Sequence, residues 1–193
     1  MTRLAIFASG GGSNAQAIIE HFRNRGTIKV VLIVCNKPGA GVIQIAEREH
    51  IPVLIIEKER FFRGDGFVPE IRKYGPDFII LAGFLWKIPV SIIKEWSGKI
   101  TNIHPALLPD YGGKGMYGKF VHEAVIAAKE KESGITIHYV DELYDHGTTI
   151  FQARCPVYED DDAISLSFRI HKLEHENYPK VIESIVNKSP GNH

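Results

Sequence analysis

The sequence predicts an α/β fold with a mixed, mostly parallel seven-stranded sheet whose late strand pair is antiparallel. Three observations carry this. Strand-like runs recur near residues 3–8, 29–35, 53–56, 78–83, 99–103, 135–140 and 148–157, with helical patterns between most of them. Such alternation means a largely parallel sheet covered on both faces. The first run passes through a glycine turn straight into a helix, giving a Rossmann-like start. The last two runs are joined by a short acidic turn with no room for a crossover helix, so that pair is antiparallel.

Leu4-Ala-Ile-Phe-Ala8 reads as a short buried strand, Ser9-Gly-Gly-Gly-Ser-Asn14 as a tight turn, and residues 15–22 as an amphipathic helix. Glycines let the backbone approach a ligand closely, and the free N–H groups of a first helical turn favour an anion such as phosphate. The loop fits neither the dinucleotide G-x-G-x-x-G pattern nor G-x-x-x-x-G-K-[ST], so an ordinary strand-to-helix turn stays open beside phosphate binding. Further on, Leu81-Ala-Gly-Phe-Leu-Trp-Lys-Ile-Pro89 marks the end of the fourth strand, where an α/β sheet opens a ligand crevice. A core strand running into a helix explains the same residues.

Ile100-Thr-Asn-Ile-His-Pro-Ala-Leu-Leu-Pro109 places an amide and an imidazole two residues apart at a strand end. Alternate residues of an extended segment share a face, so Asn102 and His104 can converge on one group while Ile103 points into the core. A fixed donor beside a titratable one suits a developing oxyanion. Loop capping is the plainer use of the same pair. The next segment, residues 110–118, holds four glycines in nine residues, which predicts a mobile loop of the kind that closes over substrates. An amphipathic helix follows at 120–128. The turn Asp141-Glu-Leu-Tyr-Asp-His-Gly147 reads from its residues as a solvated turn. Asp160-Asp-Asp162 reads as the acidic start of a closing helix with Ile164, Phe168 and Leu173 in its buried stripe, kinked or divided by Pro179.

At 193 residues and 44% hydrophobic, the chain has material for one core; we expect a single domain over 1–188 and a disordered tail over 189–193. Lys+Arg and Asp+Glu number 23 each, which speaks against a nucleic-acid or membrane partner. The longest apolar runs are too short to span a bilayer. Met1-Thr-Arg-Leu leads directly into a strand with no signal peptide, so a cytoplasmic protein is expected. Cys35 and Cys155 lack C-x-x-C spacing and an activating context, and read as core residues of a reducing compartment. None of His104, His122, His138, His146, His171 and His175 sits in an H-E-x-x-H pair, so no metal is expected; His171 and His175 read as one exposed helical face.

The stretch Asn-Ile-His-Pro-Ala-Leu-Leu-Pro-Asp-Tyr-Gly-Gly resembles the signature of the formyltetrahydrofolate-dependent formyltransferases: Asn, any residue, His-Pro-Ser-Leu-Leu-Pro, then a glycine-containing loop. Ala106 replaces the usual Ser. The likeness runs from Leu4 to about Val186 and points to the branch that formylates glycinamide ribonucleotide in purine (IMP) synthesis. It implies the three-layer formyltransferase fold, with 10-formyltetrahydrofolate as co-substrate, small-molecule substrates only, and a monomer or homodimer. By residue match it implies a catalytic Asn102, His104 and Asp145, the last in an Asp-x-Gly pattern. The amine of N1-(5-phosphoribosyl)glycinamide would attack the formyl carbon directly. Asn102 and protonated His104 would hold the tetrahedral oxyanion while Asp145 raises the His pKa.

The remaining matches concern binding. Gly-Gly-Gly-Ser-Asn resembles the family's Gly-x-Gly-Ser-Asn loop, which makes Gly12, Ser13 and Asn14 phosphate binders. Glu174 matches the glutamate of Glu-His-x-x-Tyr-Pro, a ribonucleotide contact. Leu85, Trp86, Lys87 and Ile88 match the family's pterin-lining segment, and Asn102 adjoins the same ligand; Trp86-Lys87 stands where the family has Arg-Ile. Arg63 is the implied folate arginine, with Lys58 and Arg60 as alternatives, and His138 a supporting histidine. Methionyl-tRNA formyltransferases and formyltetrahydrofolate hydrolases share the Asn/His/Asp site but carry an extra domain for which we expect no room here. A nucleotide-sugar formyltransferase and a non-catalytic nucleotide-binding module are the other readings.

Overall fold

Buried β-branched and aliphatic runs separated by amphipathic helices can satisfy their backbone groups only as one sheet with helices on both faces. The computed structural model describes residues 1–188 and has that form. In chain order the elements are β1 (Thr2–Ala8), α1 (Ser13–Phe22), β2 (Ile28–Cys35), α2 (Gly41–Arg48), β3 (Val53–Ile55), α3 (Lys58–Arg63), α4 (Val68–Lys73) and β4 (Phe78–Leu81). They continue with α5 (Val90–Glu95), β5 (Ile100–His104), α6 (Lys119–Ala127), β6 (Glu132–Tyr139), β7 (Thr149–Pro156) and α7 (Ala163–Lys188). The sheet order is β3-β2-β1-β4-β5-β6-β7. Pairing is parallel as far as β5, then antiparallel for β5–β6 and β6–β7. The expected mixed sheet and its late antiparallel pair are present. Residues 189–193, expected as a disordered tail, lie outside the described residues.

Two cores flank the sheet. Leu4, Ile6 and Ala8 of β1 pack on one face with residues of α1, α2 and α7, while Ala5 and Phe7 pack on the other with Phe61, Ile71 and Ile92 of α3, α4 and α5. Cys35 and Cys155 are buried free thiols, and burial pushes the Cys155 thiol up.

The closing helix corrects two expectations. Its buried row is Leu166, Ile170, Glu174, Tyr178, Ile182 and Val186, spaced every four residues. Ile164 and Phe168 are 66% and 72% exposed, so neither belongs to the buried stripe, whereas Leu173 packs against the core from its edge. The helix start sets this phase. Asp162 Oδ1 accepts the N–H groups of Ile164 (2.9 Å) and Ser165 (2.8 Å), an N-cap that puts Leu166 and not Ile164 toward the sheet. Nor does Pro179 divide the helix: α7 runs unbroken through it, held on either side by the buried Tyr178 and Ile182. The Tyr178 hydroxyl lies 3.0 Å from the Leu81 carbonyl and 3.2 Å from the Thr101 carbonyl, tying α7 to the ends of β4 and β5.

Candidate active site

Parallel strands deliver their loops to one edge of the sheet, and here the loops after β1, β4 and β5 meet the β6–β7 turn and one side of α7 around a cleft of 1020 Å³. Asn102, His104 and Asp145 all line it, although they come from β5 and from a turn more than forty residues later.

Asn102 and His138 are register partners across the antiparallel β5–β6 ladder. His138 donates from Nδ1 to the Tyr139 carbonyl (2.8 Å), and its Nε2 lies 3.2 Å from Asn102 Nδ2 and 3.6 Å from Asp145 Oδ1. Asn102 Nδ2 also lies 3.4 Å from Asp145 Oδ1. His104 donates from Nε2 to the Tyr111 carbonyl (2.7 Å) and turns Nδ1 toward Asp145 Oδ2 at 3.5 Å. Every polar hydrogen of the amide and both ring nitrogens of His104 therefore have a protein partner or neighbour. An oxyanion can be received only by displacing one of these contacts.

The electrostatics correct a third expectation. Burial is the largest influence on His104 and lowers its pKa; Asp145 and the Tyr111 carbonyl push it up, but by less, and the net shift is downward. Asp145 acts on His104 in the expected direction without raising it above its ordinary value. Burial likewise pushes the Asp145 carboxyl up, but the His138 ring, the charge of His104 and the Gly113 N–H together outweigh it, so Asp145 is held below the usual carboxylate range. Its backbone is left-handed (φ 52°), uncommon for a residue with a side chain. Two residues on, a Cβ at Gly147 would overlap the Tyr139 carbonyl oxygen, so the turn carrying Asp145 closes against β6 only with glycine there.

At the other end of the cleft, Gly12 (φ 82°) N-caps α1, and Ser13 and Asn14 form its first turn. A Cβ at Gly12 would meet Val42 at 2.8 Å. Glu174 is 4% exposed, not solvated as helical glutamates usually are. Its Oε2 accepts from Asn14 Nδ2 (2.9 Å) and from His171 Nδ1 (2.8 Å). The bond to Glu174 raises the His171 pKa over the opposing effect of burial.

The third wall is aromatic. Trp86 stands 5.7 Å from Phe61, 5.6 Å from Phe62 and 6.3 Å from Phe84, ring centre to ring centre. Leu85, Trp86, Lys87 and Ile88 all line the cleft, Leu85 and Lys87 exposed and Ile88 buried. The Leu85 N–H donates to Ser9 Oγ (2.9 Å), fixing this segment to the glycine loop. Arg63 does not fit the expected folate contact. Its guanidinium is 82% exposed and lies 3.5 Å from Glu59 on the same helix, outside the cleft lining. The alternatives fare no better: Arg60 is bonded to Glu70 (2.6 Å) and stacked over Phe67 (4.2 Å), and Lys58 is also absent from the cleft walls.

Several lining residues escaped sequence reasoning. His122, Leu143, Tyr144 and Ser167 line the cleft, as does Ile164, misplaced in the core by sequence; the strip Lys114–Lys119, most of it in the glycine-rich loop read as a substrate cover, lines it too. His171 had a legible signal, three residues before Glu174 on one helix face; His122 had none beyond its helix. Among the described residues no cluster of three His, Cys, Asp or Glu could hold a metal ion, and no helix is long and apolar enough to cross a membrane.

A crevice at the carboxyl ends of parallel strands, holding an amide, an imidazole and a low-pKa carboxylate, defines an α/β protein built to bind and polarise a small ligand. The sequence profile of the formyl transferase family matches residues 2–182, and the chain belongs to that family. It is 42% identical over 190 residues to the chloroplastic phosphoribosylglycinamide formyltransferase of Arabidopsis thaliana, spanning 95% of this chain and 65% of that protein. It is 37% identical over 191 residues to phosphoribosylglycinamide formyltransferase of Bacillus subtilis, spanning 96% of this chain and 95% of that protein. The chain thus spans less than two thirds of the plant relative's length but nearly all of the bacterial one's. The crystal structure of phosphoribosylglycinamide formyltransferase from Bacillus halodurans superposes with a TM-score of 0.87 at 34% identity, covering 97% of this chain and 96% of that one.

Proposed function

We propose that this chain transfers the formyl group of 10-formyltetrahydrofolate to the amine of N1-(5-phosphoribosyl)glycinamide, giving formylglycinamide ribonucleotide and tetrahydrofolate. The observation that carries the reading is the meeting of Asn102, His104 and Asp145 in one cleft, between a glycine-capped helix start and an aromatic wall. The names of the similar proteins from Arabidopsis and Bacillus support the choice of acceptor.

In this reading the ribonucleotide phosphate sits on the N–H groups of Gly12, Ser13 and Asn14, with Glu174 beside it. The pterin lies against Leu85, Trp86, Lys87 and Ile88. The acceptor amine attacks the formyl carbon, and the carbonyl oxygen becomes an oxyanion received by Asn102 Nδ2 and protonated His104. Asp145 stabilises the imidazolium and, through a water, relays the proton lost by the attacking nitrogen to the departing N10. A single oxyanion donor of this kind is worth roughly 3 kcal/mol. We also read residues 1–188 as one domain acting in the cytoplasm, on small molecules alone and as a monomer or homodimer.

The test is turnover of 10-formyltetrahydrofolate with and without glycinamide ribonucleotide, for wild type and His104→Ala. Turnover that needs the ribonucleotide and is lost in the variant supports the proposal; donor breakdown indifferent to the ribonucleotide replaces it with a hydrolase.

A further inference from the structure

His104, His138 and His171 of the cleft each hold a side-chain hydrogen bond, whereas His122 has no such anchor and no role in the mechanism above. It is 2% exposed, it lines the cleft from α6, and among the described residues its side chain forms no hydrogen bond or ion pair. Its Nδ1 is sealed from solvent without a partner. Burying polar atoms without replacing their water hydrogen bonds is unfavourable, so a side chain that merely fills this space would be better apolar.

The position of the ring is informative. It lines the cleft that also holds Glu174 and His104, and it is close enough to both for their charges to act on it. A ribonucleotide with its phosphate at the start of α1 and its amine at His104 must pass its ribose and amide portion through this cleft. This portion carries hydroxyl, carbonyl and N–H groups but no charge. An uncharged imidazole, able to accept or to donate, matches it.

We infer that His122 is a specificity contact for the acceptor, its cleft-side ring nitrogen hydrogen-bonding the uncharged ribose and amide portion of the ribonucleotide and aligning the amine with the formyl carbon. The inference rests on placing the ribonucleotide at Gly12–Asn14 and Glu174. It predicts an apolar replacement that harms acceptor binding without harming the fold, the reverse of what loss of a structural histidine does.

The experiment compares wild type with His122→Leu, His122→Gln and Ser13→Asp by thermal melting without ligands and by steady-state kinetics in both substrates. We expect His122→Leu to melt no lower than wild type, to raise the ribonucleotide KM roughly fivefold to tenfold and to leave the 10-formyltetrahydrofolate KM unchanged. His122→Gln, which restores a hydrogen-bonding group on the cleft side, should recover part of the loss. A lower melting point with proportionate loss in both substrates, an effect on the donor KM alone, or no kinetic effect each overturns the inference. Ser13→Asp, which sets a carboxylate where the phosphate would sit, separates the two ideas: if it leaves the ribonucleotide KM unchanged, the phosphate placement fails, while an effect confined to His122→Leu and rescued by His122→Gln upholds the contact.

Discussion

The backbone N–H of Gly113 donates to Asp145 Oδ2 at 2.9 Å, so the glycine-rich segment after β5 is fastened to the carboxylate on the β6–β7 turn. The neighbouring Tyr111 carbonyl accepts from His104 Nε2, which makes the same short segment a partner of both the imidazole and its counter-ion. Loop and site are thus one hydrogen-bonded unit, and changes at Asp145 should be felt in both.

Asp145→Asn removes the charge that favours imidazolium while leaving burial, which opposes it, in place. The His104 titration should move to still lower pH, so the protonated fraction at neutral pH falls, and kcat should drop on the order of 100-fold or more. Nuclear magnetic resonance titration of the His104 ring beside a pH–rate profile checks both; a His104 pKa that rises or stays fixed refutes this account of the pair.

Stability should fall as pH is lowered from 7.5 to 5.5. His104 and His122 both have folded pKa values depressed by burial, so the unfolded chain, titrating near about 6.5, takes up protons more readily than the folded one. Their contribution is complete above the unfolded value and is lost as pH falls toward the folded one. His171 has the opposite sign, since its raised pKa adds stability at low pH that is lost as pH rises through it. Melting curves of His122→Leu should accordingly show a shallower acid slope than wild type.

The cap of α7 offers a test far from the chemistry. Asp162→Ala deletes the acceptor for two first-turn N–H groups and should cost about 1 kcal/mol, or roughly 2–4 °C in melting temperature. Tyr178→Phe should cost more, about 1–3 kcal/mol, because the buried carbonyls of Leu81 and Thr101 lose a donor. Calorimetry on both variants ranks the two.

Trp86→Ala should weaken donor binding with little effect on the acceptor. The indole completes an aromatic wall with Phe61, Phe62 and Phe84, and its loss should raise the 10-formyltetrahydrofolate KM roughly tenfold. A parallel rise in the ribonucleotide KM would place the pterin elsewhere.

Much of this architecture could be read from the chain, because strand runs and glycine turns are local signals. Asn102 and His104 were legible as a pair since a strand's two-residue period alone puts them on one face. Asp145 was not: its turn reads as ordinary solvent-facing chain, and only family resemblance singled it out. Ile164 and Phe168 were misplaced because apolarity does not set helix phase, which Asp162 does. His122 and the burial of Glu174 depend on where α6 and α7 land on the sheet, a tertiary fact with no local trace.

The ladder pairing of Asn102 with His138 has a consequence for how such a protein can change. Interstrand spacing is a property of the backbone, shared by every antiparallel ribbon, so the distance between these two side chains is inherited from the sheet and is indifferent to what surrounds it. Asp145 has no such guarantee, sitting on a turn that needs Gly147 to close. Insertions and exchanges in the surrounding loops can therefore remodel ligand choice while the amide and its histidine stay fixed, with the position of one carboxylate as the variable that decides whether the altered protein still works.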